Sequence, residues 1–126
     1  MFCDQCEQTY QGTGCIQAVG VCGKDEDVES LQKILLYGLK GMAAYKHHAR
    51  RLGKVDEACD AFEEEALFAT VTNVNFDQAS LLELVMECGQ QNLRVMQMLS
   101  EGHVERFGKP APAEVFEGTK AAPGIL

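Results

Sequence analysis

The chain has 126 residues, enough for one domain that buries a real core. Hydrophobic residues make up 46% and charged residues 24%, an ordinary globular balance, and no apolar run reaches the ~18–20 residues that span a bilayer. With 11 Lys+Arg against 19 Asp+Glu the net charge is −8, which argues against nucleic-acid and anionic-membrane partners, since both select a basic surface.

The first element is a loop. Cys3, Cys6, Cys15 and Cys22 fall within the first twenty-four residues, spaced C-x2-C-x8-C-x6-C, together with Gly12, Gly14, Gly20 and Gly23. Four thiolates gathered at one point repel each other unless a cation or a cluster lies between them. Cys3 and Cys6 have the spacing at which one turn of backbone offers two sulfurs to one centre, and the glycines permit positive φ and close approach of backbone N–H groups to sulfur. Three readings compete. A disulfide framework belongs to oxidising compartments, and Cys3 stands too near Met1 for a signal peptide to precede it, so a reducing, cytoplasmic setting is expected. A tetrahedral ZnS4 site usually takes two short C-x2-4-C pairs, which Cys15 and Cys22 do not form. An iron–sulfur cluster tolerates more varied spacing. Spacing alone separates iron–sulfur from zinc only modestly.

Three helices are predicted next. Asp25-Glu26-Asp27 opens the first, acidic residues suiting a helix N-terminus. Val28, Leu31, Ile34, Leu35, Leu39, Met42, Tyr45, Ala49 and Leu52 then recur at helical spacing, and Gly53 is the expected stop, giving a helix over 26–52. Gly38 and Gly41 inside it imply close approach of another helix or of the cysteine loop. A second helix is expected over 56–72, with Ala58, Cys59, Phe62, Ala66 and Ala69 inward. Asn73-Val74-Asn75 reads as a turn. Asp77 is the expected N-cap of a third helix, whose stripe is Leu81, Leu84, Val85, Cys88, Leu93, Met96 and Leu99, running to about residue 101 or as far as 106. Gly89 is expected to permit close packing there. From Gly108 the pattern gives way to Gly, Pro and Ala, an extended tail. The fold expected is all-α: a three-helix antiparallel bundle with the cysteine-rich loop packed at one end. Its segments are a cluster-binding loop (1–24), the bundle (25–107) and a tail or linker (108–126).

Cys59 and Cys88 lie on apolar faces and read as core thiols. His47 and His48 are adjacent on a helix and do not chelate together easily, and His103 has no ligand-like neighbours. No Ser/His/Asp, HExxH or phosphate-loop pattern is present.

The run MFCDQCEQT, then GTGC, then GVCGK, resembles the N-terminus of the hybrid-cluster proteins, also called prismane proteins or hydroxylamine reductases. The likeness continues through SLQKILLYGLKGMAAYKHHA and EALFATVTN to the final APGIL. It implies that Cys3, Cys6, Cys15 and Cys22 hold a [4Fe–4S] cluster, with [2Fe–2S] the alternative, and that this chain is the electron-transfer part of an oxidoreductase acting on hydroxylamine or nitric oxide. Family members are longer, and their substrate-reducing hybrid cluster lies in later domains, so that cluster is not expected in this chain and no catalytic residue is named. A redox partner protein or the catalytic domains are the implied partners. The single bundle is similar to that of the shorter family members, which are often oligomeric, so a bundle face is a candidate homo-oligomer contact. The reading from a different class is a structural zinc-binding helical interaction domain without redox activity.

Overall fold

A computed structural model of the chain describes residues 1–72 and 76–112. The expected Asn73-Val74-Asn75 turn, and the expected tail from residue 113 onward, lie outside the described residues. Three helices account for most of the rest: α1 (Glu26–Arg51), α2 (Glu57–Val71) and α3 (Gln78–Phe107). Each begins at an aspartate whose carboxylate accepts backbone N–H groups left without partners in the first turn: Asp25 from Val28, Asp56 from Ala58 and Cys59, and Asp77 from Ser80. Hydrogen bonds from Ser80 hold the Asp77 carboxyl below the usual carboxylate range. At the other end of α1, Gly53 takes φ +78°, and Gly53 N–H and Lys54 N–H donate to the carbonyls of Arg50 and Ala49, which is the left-handed stop that glycine supplies. α3 runs to Phe107, one residue past the far limit of the expected range, and Gly108 closes it at φ +70°.

Successive helices run antiparallel. Lys46 and Arg50 near the end of α1 meet Asp60 near the start of α2. Cys59 of α2 donates to Gln91 of α3, and Asp56 pairs with Arg94. α1 and α3 consequently run parallel, and they share the main interface. Asn92 Nδ2 donates to the Gly38 carbonyl (3.0 Å), and a dozen residues further along both helices Arg106 donates to the Arg51 carbonyl (3.2 Å). The core between the helices is Leu35, Leu39, Met42, Tyr45 and Ala49 of α1, Cys59, Phe62 and Ala66 of α2, and Cys88, Val95 and Leu99 of α3.

Three side chains expected inside are outside. Ile34 is 54% exposed and Leu93 68%, and Ala58 is exposed as well. A helical stripe is wider than the seam that two partners cover, and the edges of α1 and α3 face away from the bundle. The glycines also divide. A Cβ on Gly38 would lie 2.7 Å from Cys88 Sγ, so α1 and α3 cross there because both residues are small. Gly89, contrary to expectation, has nothing within 4 Å of where its Cβ would stand. Opposite outcomes are therefore expected for the same change. Gly38→Ala overpacks the crossing and should cost about 1–3 kcal/mol, whereas Gly89→Ala should gain roughly 0.5–1 kcal/mol of helix propensity. Urea unfolding of the two variants checks both signs, and a stabilising Gly38→Ala would show that the crossing relaxes freely.

The cysteine loop sits at one end of the bundle, over the first turns of α1 and the last turn of α2. Lys24 Nζ donates to Gln32 Oε1 (2.7 Å), Lys33 lies 5.9 Å from the Phe2 ring centroid, and Gln5 donates to Thr70 Oγ1 (3.3 Å). Phe2, Ile16, Val19 and Val21, its apolar side chains, are all exposed. The loop is thus held by polar contacts and backbone turns rather than by an apolar core of its own.

Candidate metal centre

The loop is organised by two backbone pairings. Cys3 and Cys15 exchange both N–H···O bonds, at 3.0 and 2.8 Å. Residues paired in this way stand opposite each other with Cα atoms about 5.5 Å apart. Between them the chain turns twice: Thr9 N–H and its hydroxyl both donate to the Cys6 carbonyl, and a 3-10 turn follows at Tyr10–Gly12, with Gln11 at φ 52° and Gly12 at φ +70°. The second pairing, Val19 with Asp25, is closed by Gly20 N–H to the Lys24 carbonyl (2.9 Å), and it carries Cys22 on the intervening turn. Gly23 there takes φ +93°. Gly20 serves close approach instead, since a Cβ would come within 3.0 Å of Met1 Cε and 3.6 Å of Cys22 Sγ.

Cys3 and Cys15 are buried, whereas Cys6 and Cys22 are half-buried. None of the six cysteines is joined in a disulfide. The backbone polar groups of Val21 and Tyr10 nearby outweigh the opposing effect of burial, and Lys24 adds a positive charge, so the Cys15 thiol is held below its ordinary value. A thiolate favoured in this way inside a glycine-rich loop has the surroundings that cysteine ligands of metals and iron–sulfur clusters require. The pairing joins Cys3 to Cys15. Among the described residues, however, no three His, Cys, Asp or Glu side chains converge on a point that would hold one metal ion.

The other two cysteines have the opposite character. Burial pushes the Cys88 thiol up to about 11, against the hydrogen bond from Asn92. Cys59 is raised too, by burial and then by Asp56, and its Sγ–H donates to Gln91 Oε1 at 3.0 Å. Both are neutral core thiols near pH 7. The histidines lie at the far end of the bundle from the loop. The His47 and His48 rings meet edge to face at 5.5 Å, and His103 Nδ1 is 2.7 Å from the Lys109 carbonyl. The buried Lys24 and Gln32 beneath the loop escaped the sequence reading, because a lone lysine after a cysteine reads as a surface residue; the position of Lys24, fixed between the last thiol and the first helix, was the available signal. No helix among the described residues is long and apolar enough to cross a membrane.

Known proteins share this arrangement of residues. The hydroxylamine reductase of Moorella thermoacetica is 57% identical over 126 residues, all of this chain and 29% of that protein. The one from Thermotoga maritima is 49% identical over the same span, again 29% of its length. In the hydroxylamine reductase of Geobacter sulfurreducens the likeness is 47% over 113 residues, 90% of this chain but only 20% of that longer protein. The chain thus spans less than a third of the length of these curated relatives, which occur in a shorter and a longer form. The family model described as Prismane/CO dehydrogenase family matches residues 1–85, which takes in the whole cysteine loop, α1, α2 and the start of α3, and this chain belongs to that family.

Proposed function

We propose that this chain is the N-terminal iron–sulfur, electron-transfer domain of a hydroxylamine reductase, with Cys3, Cys6, Cys15 and Cys22 as the cluster ligands and [4Fe–4S] as the cluster. The observation that carries this reading is the double backbone pairing of Cys15 with Cys3 inside a four-cysteine loop, which sets two of the four thiols opposite each other. Family membership supports iron–sulfur binding in general. A bound cluster supplies one-electron redox chemistry, and four cysteine ligands suit a relay, because no iron is left open to substrate. The chain's own residues do the rest. The Cys3–Cys15 pairing fixes the backbone beneath two sulfurs, the Cys6–Thr9 turn and the Gly20–Gly23 turn carry the other two, and polar groups around Cys15 favour negative charge on its sulfur. Sites of this kind are rarely preformed, so closure of the remaining sulfurs accompanies binding.

In the whole enzyme, electrons from a redox partner would pass through this domain to catalytic domains that follow residue 108, and hydroxylamine would be reduced there to ammonia. Apolar side chains left in solvent, among them Ile34, Phe68, Met86 and Leu93, are where those domains or a second subunit would pack. A reducing, cytoplasmic setting is part of the proposal, because a cluster held by four cysteines needs all four thiols reduced. Iron and sulfide analysis of anaerobically loaded protein tests the proposal. About four of each per chain is expected, about two of each would replace the cubane by [2Fe–2S], and zinc without sulfide would overturn the redox reading in favour of a structural zinc domain.

A second expectation concerns turnover. With cluster-loaded chain and a dithionite-reduced viologen, ammonia formation from hydroxylamine should not exceed that of a cluster-free control. Cys59 and Cys88 are core thiols, and the histidines stand at the other end of the bundle, so the described residues assemble no second ligand set with an exchangeable position. Cluster-dependent ammonia over many turnovers would mean that an iron held by the loop opens to substrate.

A further inference from the structure

The two buried lysines of this chain are treated differently. Lys46 is 5% exposed and is met by two carboxylates, Asp60 and Glu63. Lys24 is 2% exposed, and its Nζ has one neutral acceptor, Gln32 Oε1. No carboxylate is ion-paired with it among the described residues: Glu29, the buried carboxylate nearby, is paired with Lys33 (2.7 Å) instead. Gln32 is itself buried, and because its oxygen faces the ammonium its Nε2 is left with no hydrogen-bond partner. Lys24 and Gln32 border a small cavity, about 30 Å³, that Cys3, Asp4, Gln5 and Glu29 also line. A buried ammonium beside an unpartnered amide donor is costly unless negative charge lies nearby. The side facing away from α1 is the cysteine loop: Cys3 lines the same cavity, and Lys24 Cγ and Cys22 Sγ both lie 3.6 Å from where a Cβ on Gly20 would stand.

We propose that Lys24, held in place by Gln32, is a positioning residue that compensates the negative charge of the thiolate-ligated group in the loop and raises its reduction potential. The inference rests on the cluster reading above. One electron enters from a reduced mediator such as a viologen, which is oxidised. No bond forms or breaks, and the loop gains one unit of negative charge that the fixed ammonium stabilises. Lys33, half-exposed and paired with Glu29, is screened by solvent and contributes less.

The test uses the full chain, loaded anaerobically with iron and sulfide, as wild type, Lys24→Met and Lys24→Arg. At equal iron content, mediated potentiometric titration should show at least a tenfold smaller equilibrium constant for one-electron reduction in Lys24→Met, a potential about 59 mV lower. Lys24→Arg, which keeps the charge, should stay near wild type. In cluster-free protein the sign reverses: Lys24→Met should melt at or above the wild-type temperature, because an uncompensated buried cation is gone. A merely structural lysine would lower the melting temperature in both forms. Lys24→Met failing to take up iron where Lys24→Arg succeeds also supports the charge requirement. Where neither variant loads, the cluster-free melting decides. Unchanged potentials in iron-loaded Lys24→Met, or its destabilisation without the cluster, would overturn this inference alone. Wild type that takes up zinc without sulfide would overturn the cluster reading and this inference with it.

Discussion

Cys15→Ala is expected to abolish retention of iron and sulfide while leaving most of the far-ultraviolet helical signal. Cys15 is buried, it is paired to Cys3 by two backbone hydrogen bonds, and its surroundings hold its thiol below the ordinary value. Alanine keeps the backbone pairing but removes a thiolate for which the loop offers no substitute ligand. The helices do not depend on it. Their core is drawn from α1, α2 and α3 without any of the loop cysteines, and their N-caps are aspartates of their own. The loop, with its apolar side chains exposed, has little to hold it beyond turns and a few polar contacts, so loss of order should be confined to residues 1–24. Circular dichroism at 222 nm together with iron analysis of the same sample checks both halves. Collapse of the helical signal would show that the loop nucleates the whole domain, and iron retained at the wild-type level would remove Cys15 from the ligand set.

Lys46→Met should cost about 2–4 kcal/mol of unfolding free energy. The Lys46 ammonium, 5% exposed, pairs with Asp60 and with Glu63 across the α1–α2 contact, the Asp60 Oδ1 contact being an ion pair at 2.5 Å rather than an aligned hydrogen bond. Removing one partner of a buried pair typically costs ~3–5 kcal/mol, because the other charge is stranded. Here the carboxylate side chains are 27% and 23% exposed, and Arg50 still reaches Asp60 at 2.8 Å, so solvent and the second cation soften the loss. The pH dependence has a definite sign. Burial pulls the Lys46 ammonium down, but its bonds to Asp60 and Glu63 prevail and raise it. Its contribution is therefore complete below the ordinary lysine value of about 10.4 and is lost as pH rises through the raised one. The Lys46 ammonium beside it holds Asp60 below its ordinary value, so that contribution is complete above about pH 4 and is lost as pH falls through the lowered value. The difference between wild type and Lys46→Met should stay flat from about pH 5 to 9 and shrink at both extremes. Urea unfolding across that range measures it; a variant within about 0.5 kcal/mol of wild type at pH 7 would place this pair with ordinary surface ion pairs.

The three helices, the Asp77 cap and the glycine stop after α1 were legible in the sequence because they are local. A side chain three residues before a bare N–H, or a residue that tolerates positive φ, acts within one turn whatever the rest of the chain does. The four-cysteine loop and its family likeness were legible for a similar reason, since ligand spacing and turn glycines are short-range features. Burial was legible only in part. Leu35, Leu39, Met42, Leu81 and Leu99 are inside as their spacing implies, but Ile34 and Leu93 share the same periodicity and stand in solvent. Which edge of a stripe is covered depends on how α1 and α3 pack side by side in parallel. That arrangement also distinguishes Gly38, where a Cβ would press on Cys88, from Gly89, where a Cβ would point into open space. Composition likewise gave no sign that Lys24 and Lys46, two of eleven basic residues, would be buried. The sequence by itself determined the local backbone and gathered four cysteines in one short loop. Tertiary structure alone decided which charges lie out of water and what stands beside them, because burial and electrostatics depend on neighbours far away along the chain.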